Sequence, residues 1–178
     1  MKKAYVVVDM SNDFVHDDGG LTAGKPAQAI EENILKRVVE FNEDGDVIVF
    51  AMDAHKPDDD HFRLWAPHNV IGTWGAELYG KLGEWYDANK ENENVYYLPK
   101  GEYDAFYETD LADILRKHGV EVVYIAGVCT DICVFNTVYG AYKASFPTVV
   151  AKDEVATFTA NGQIFLDQMN AIYKTEII

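Results

Sequence analysis

A chain of 178 residues with 48 % apolar and 13 % aromatic side chains can fill a core and enclose a pocket, which excludes a disordered tail protein. Thirty acidic against fifteen basic residues give a formal charge of −15, which opposes a footprint on nucleic acid or an anionic membrane, so the expected partner is a small molecule. No apolar run approaches the roughly 20 residues of a membrane helix, and two cysteines close together make no disulfide framework.

The opening "MKKAYVVVDM" reads as a first strand over 4–9. Polar "SNDF" follows it where a secretion signal would place small residues, so a cytoplasmic, reducing compartment is expected. After Pro26, the spacing of Ile30, Ile34, Val38 and Phe41 predicts a helix, and "DVIVFAM" (46–52) predicts a second strand. Residues 53–75 have no periodicity and hold three of the five histidines; a long irregular stretch in a compact domain is usually functional. A third strand falls at "NVYYLP" (94–99). Thr109 and Asp110 are capping candidates for a helix carrying Leu111, Ile114 and Leu115. A fourth strand, "VEVVYIA" (120–126), leads into a helix opened near Thr130 that carries Val138 and Ala141. "TVVAKD" (148–153) is the fifth strand, a helix with the stripe Ile164, Phe165, Met169, Ile172 follows, and "KTEII" can add an edge strand.

Alternating strands and helices, with strands apolar almost throughout, predict a three-layer α/β/α fold around a central, mostly parallel sheet of five or six strands. No linker or repeat divides the chain, so residues 1–178 are expected to form one domain.

In such sheets the ligand crevice lies outside the carboxyl ends of the strands. Asp9 ends the first strand, Asp53 and His55 follow the second, Lys100 follows the third, and Gly127 to Cys133 follow the fourth. Singly each is unremarkable; a free cysteine is most often a small buried hydrophobe. Together they describe acyl transfer through a thioester. A cysteine at a helix N-terminus facing a lysine has its thiolate favoured by dipole and charge. A carboxylate can carry the proton, and backbone N–H groups of "GVCTDIC" can hold an oxyanion. Asp53 and His55, two apart on an extended segment, project to one side, and His61 and His68 can fold back towards them; three imidazoles and a carboxylate suit zinc, iron or manganese.

The motifs "VVVDMSNDF", "DAHKPDDDHF", "PHNVIGTWGAEL", "KGEYDAFYETDL" and "GVCTDICV", in this order, resemble the isochorismatase-like cysteine hydrolases, and within them the nicotinamidases. The resemblance runs from residue 3 to about 160. It implies a triad of Asp9, Lys100 and Cys133, with Asp9 as general base and acid. It implies one divalent metal, zinc ahead of iron or manganese, held by Asp53, His55 and His68. His61 stands where some members place a histidine and others a glutamate. Phe14, Trp65 and Tyr103 would flank a pyridine ring, the Val128–Cys129 peptide would be cis, and the N–H groups of Cys129 and Cys133 would form the oxyanion hole.

The implied reaction is hydrolysis of nicotinamide to nicotinate and ammonia in salvage of the pyridine nucleotide pool; self-association into a homo-oligomer is left open. Two positions depart from the pattern: Cys129 replaces an alanine, which raises a Cys129–Cys133 disulfide, and Ser11 replaces a glutamine. The alternatives are another cysteine amidohydrolase acting on a different small amide, or a metal or thiol-redox protein without hydrolase activity. Asp9 and Lys100 argue against the last, since a redox pair needs neither.

Overall fold

The computed structural model covers residues 1–178. Seven strands form one sheet: β1 (Lys3–Val8), β2 (Val47–Asp53), β3 (Val95–Lys100), β4 (Val122–Val128), β5 (Thr148–Val150), β6 (Val155–Ala156) and β7 (Glu176–Ile177). The order is β3-β2-β1-β4-β5-β7, with β6 also on β4, and every pairing is parallel.

Because successive strand residues point to opposite faces, the apolar strands fill two cores. Ala4, Val6 and Val8 of β1 pack with Val49, Ile125 and the helices α5 (Leu111–Lys117), α6 (Phe135–Lys143) and α7 (Gly162–Gln168). Tyr5 and Val7 pack on the other face with Ile48, Phe50 and Met52 against α2 (Lys25–Ala29), α3 (Glu31–Glu43) and α4 (Gly80–Asn89). The short α1 (Asn12–Val15) follows β1.

Ile30, Ile34, Val38 and Phe41 are buried as their spacing predicts, although Ile30 separates α2 from α3. Thr109 is the capping side chain: its Oγ1 accepts from the Leu111 N–H (3.3 Å), whereas Asp110 makes no side-chain cap. The C-terminal helix corrects the predicted stripe. Ile164 and Ile172 are more than half exposed while Leu166 and Met169 are buried, and the helix passes into a π turn at Met169–Tyr173. The fifth strand is shorter than predicted: β5 ends at Val150, and the chain turns before Val155 and Ala156 rejoin β4. Glu154 pins that turn, accepting from Tyr5 Oη (2.9 Å) and Arg37 Nε (2.6 Å).

Candidate active site

The carboxyl ends of β1 to β4 deliver the reactive groups. Register pairs Asp53 with Lys100, so both are the last residues of their strands instead of following them. Asp9 leaves β1 in the left-handed region (φ 56) and is fixed by its N–H to Ala51 O (2.9 Å) and its Oδ1, which accepts from the Asp53 N–H (2.8 Å). Gly127 sits at φ 109, where a Cβ would lie 2.0 Å from Val8 O; only glycine lets β4 come this close to the end of β1. The next peptide, Val128–Cys129, is cis.

Lys100 is 2 % exposed and donates through Nζ to Asp9 Oδ2 (2.8 Å), to Asp53 Oδ1 and to Glu102 O (3.1 Å). The Cys133 Sγ and carboxylate oxygens of Asp9 and Asp53 lie within 4.8 Å of one another. Burial together with the Asp53 charge raises Asp9 to about 6 against the pull of Lys100. Burial also raises Asp53, but Lys100 and the imidazoles of His55 and His68 outweigh it and hold that carboxyl well below the usual range.

The Cys133 thiol corrects the expectation of a thiolate favoured by a helix dipole. Cys133 lies in a π turn, Thr130–Val134, and regular helix begins only at Phe135. Burial pushes the thiol well up, Lys100 opposes this, and the charges of Asp9 and Asp53 add to it. The resting group is therefore a thiol beside a carboxylate of raised basicity, an arrangement suited to general-base activation. The Cys129 thiol is outside that group of three, and burial drives it up to about 12.

Beside this triad, the ring nitrogens of His55, His61 and His68 converge within 4.8 Å of one another. Asp53 Oδ2 lies 3.5 Å from His55 Nε2 and 3.7 Å from His68 Nε2. Each of those two rings is fixed from behind, His55 Nδ1 by Asp59 Oδ2 (3.1 Å) and His68 Nδ1 by Ala66 O (2.7 Å). His55 Nε2 is buried with no hydrogen-bond partner. A buried, orphaned imidazole nitrogen facing a carboxylate and two more imidazoles fits a divalent metal.

Asp9, Asp53, His61, His68, Cys129 and Cys133 share one pocket with Phe14, Trp65 and Tyr103, about 410 Å³ including its open mouth. Trp65 Nε1 donates to Tyr103 Oη (2.9 Å), and Phe14 packs against the His68 ring with centroids 5.1 Å apart. Lys100 and His55 stand behind the wall. Leu21, Ile132 and Phe158 also line the pocket; none carries a chemical signature, so only the folded chain places them there. Ser11 has a defined use: its Oγ accepts from the Phe14 N–H (3.3 Å) and donates to Asn69 Oδ1 (2.8 Å), tying the aromatic wall to the histidine loop.

The isochorismatase domain family matches residues 3–174. The isochorismatase family protein PncA of Bacillus subtilis is 46 % identical over 165 residues, 91 % of this chain and 90 % of that protein. The solved structure of a nicotinamidase/pyrazinamidase from the same organism superposes with TM-score 0.96 at 41 % identity, covering 99 % of each chain. A pyrazinamidase of Pyrococcus horikoshii, solved in complex with zinc, superposes with TM-score 0.88 at 30 % identity over 100 % of this chain and 99 % of that one. On this match, over a parallel sheet whose strand ends gather Asp9, Lys100 and Cys133, the chain belongs to the isochorismatase family.

Proposed function

We propose that the chain, acting as one domain over residues 1–178, is a nicotinamidase that converts nicotinamide and water to nicotinate and ammonia. The observation that carries this reading is the shared pocket: a thiol, its base and a metal-competent cluster open onto one cavity walled by aromatic rings. A thiol-redox role needs no such cluster.

Asp9 takes the Sγ proton as Cys133 attacks the carboxamide carbon, and the N–H groups of Cys129 and Cys133 receive the oxyanion. Asp9 then gives that proton to the amide nitrogen, ammonia leaves, and a nicotinoyl thioester remains on Cys133. Water, deprotonated by Asp9, cleaves the thioester; nicotinate departs and the thiol regains its proton. Lys100 keeps Asp9 and Asp53 paired and orientated throughout. Phe14, Trp65 and Tyr103 enclose the ring.

Asp53, His55, His61 and His68 would hold one divalent ion, zinc ahead of iron or manganese, as the Pyrococcus relative's zinc supports. Such an ion supplies a Lewis acid for the pyridine nitrogen, so its contribution is orientation of the amide towards Cys133. Metal-loaded protein should release ammonia from nicotinamide and from pyrazinamide, and a chelator should abolish this. Benzamide keeps the shape but lacks the ring nitrogen, and should be slower by the value of an unpaired buried polar contact, about 1–3 kcal/mol or more. Equal rates on benzamide would remove the metal from substrate binding. His55→Ala should lose most bound metal by elemental analysis; full occupancy in that variant would refute the ligand assignment.

No helix is long and apolar enough to cross a membrane. A cytoplasmic enzyme acting in nucleotide salvage, without nucleic-acid or membrane partners, completes the reading; gel filtration decides whether it is a homo-oligomer.

A further inference from the structure

Three consecutive acids, Asp58, Asp59 and Asp60, sit between His55 and His61, and the fold treats one of them differently. Asp58 and Asp60 are exposed, with Asp60 engaged by Arg63 (2.6 Å). Asp59 is turned inward and grips two histidines at once. Its Oδ2 meets the ring of His55 at Nδ1 (3.1 Å), and its Oδ1 accepts the backbone N–H of His61 (2.9 Å) while capping the 3₁₀ turn Asp60–Arg63. A further bond from the Asp59 N–H to Lys56 O (3.1 Å) closes the turn beneath it. The two rings it controls lie parallel, 4.7 Å between centroids and 7° between planes.

We infer that Asp59 is the positioning residue of the metal centre: without contributing a ligand atom, it sets the tautomer of His55 and the spacing of His55 from His61. An anionic acceptor at Nδ1 keeps the proton on that nitrogen and leaves the lone pair on Nε2, the buried atom that has no other partner. The same carboxylate fixes the backbone from which His61 projects, so one side chain controls two of the three imidazoles. His68 differs, being held by the neutral carbonyl of Ala66. This inference rests on reading the histidine cluster as the metal centre.

The test is chelator competition on the full-length protein loaded with Zn²⁺, and with Co²⁺ as a spectroscopic probe. Asp59→Ala should weaken Zn²⁺ binding about 10–100-fold, while Asp58→Ala leaves it unchanged. Asp59→Asn keeps an oxygen for the His61 N–H and loses the anion facing His55, so it should fall between wild type and Asp59→Ala. The Co²⁺ visible spectrum of Asp59→Ala should change, whereas that of Asp58→Ala should match wild type. Zn²⁺ affinity of Asp59→Ala within about twofold of wild type, with an unchanged Co²⁺ spectrum, would overturn the inference and leave the metal centre standing. Failure of the wild-type protein to take up metal would overturn both.

Discussion

Cys133→Ala is expected to lose turnover by roughly 10⁴–10⁶-fold, the scale seen when a covalent nucleophile is removed, while still binding metal and nicotinamide. Cys129→Ala is expected to keep most activity. Both cysteines are buried in one turn, but it is the Cys133 sulfur that lies within 4.8 Å of the Asp9 and Asp53 carboxylates. What Cys129 offers the reaction is its backbone N–H, which alanine retains. Steady-state ammonia release from the two variants, with bound metal measured in each, separates these roles. A dead Cys129→Ala beside an active Cys133→Ala would exchange the assignments.

Lys100→Met should be the most destabilising single change in the site. The ammonium is buried between two carboxylates, and removing it leaves Asp9 and Asp53 facing each other without compensation, a loss of about 3–5 kcal/mol. Activity should fall with it, because Asp9 loses the contact that orients it. The deficit should depend on pH. A carboxyl whose folded pKa is raised above its unfolded value binds more protons when folded, so it costs stability as pH rises through that window. Asp9 is already raised to about 6 with Lys100 present and would rise further without it. Denaturant unfolding of metal-free protein should therefore show a smaller gap between variant and wild type at about pH 5 than at about pH 8. A gap that is constant or grows on acidification would mean that Lys100 is not compensating buried carboxylates.

Much of this arrangement was legible because strands buried on both faces must be apolar throughout, and because the reactive residues fall where those strands end. The alternation of Tyr5 and Val7 against Val6 and Val8 between the two cores is the physical counterpart of that reading. Helix α4 was not legible: Gly80 and Gly83 interrupt the short run Gly80–Asn89, although Leu82, Trp85 and Tyr86 stand at helical spacing and pack towards the core. The stripe read over the last helix failed for a related reason, since Ile164 and Ile172 face outward and the π turn at Met169 breaks a constant 3.6-residue period.

At the site, residue types and strand ends pointed to Asp9, Asp53, Lys100 and the histidines, which the structure brings together. The ionisation of Cys133 was not legible, because burial and two neighbouring carboxylates depend on packing and not on spacing. Asp59 was hidden for another reason. In "PDDDHF" nothing in residue type separates three identical acids, and only the turn that aims one of them at His55 distinguishes it.

The most direct test of the central claim is mass spectrometry of metal-loaded protein mixed with nicotinamide, quenched in acid within a single turnover and digested. The peptide containing Cys129 and Cys133 should gain the mass of one nicotinoyl group less one hydrogen atom, with fragmentation placing it on Cys133. This adduct should be absent from Cys133→Ala and should decay as nicotinate appears. Nicotinate formed with no acyl adduct on Cys133 at any quench time, or an adduct carried by another residue, would contradict that claim.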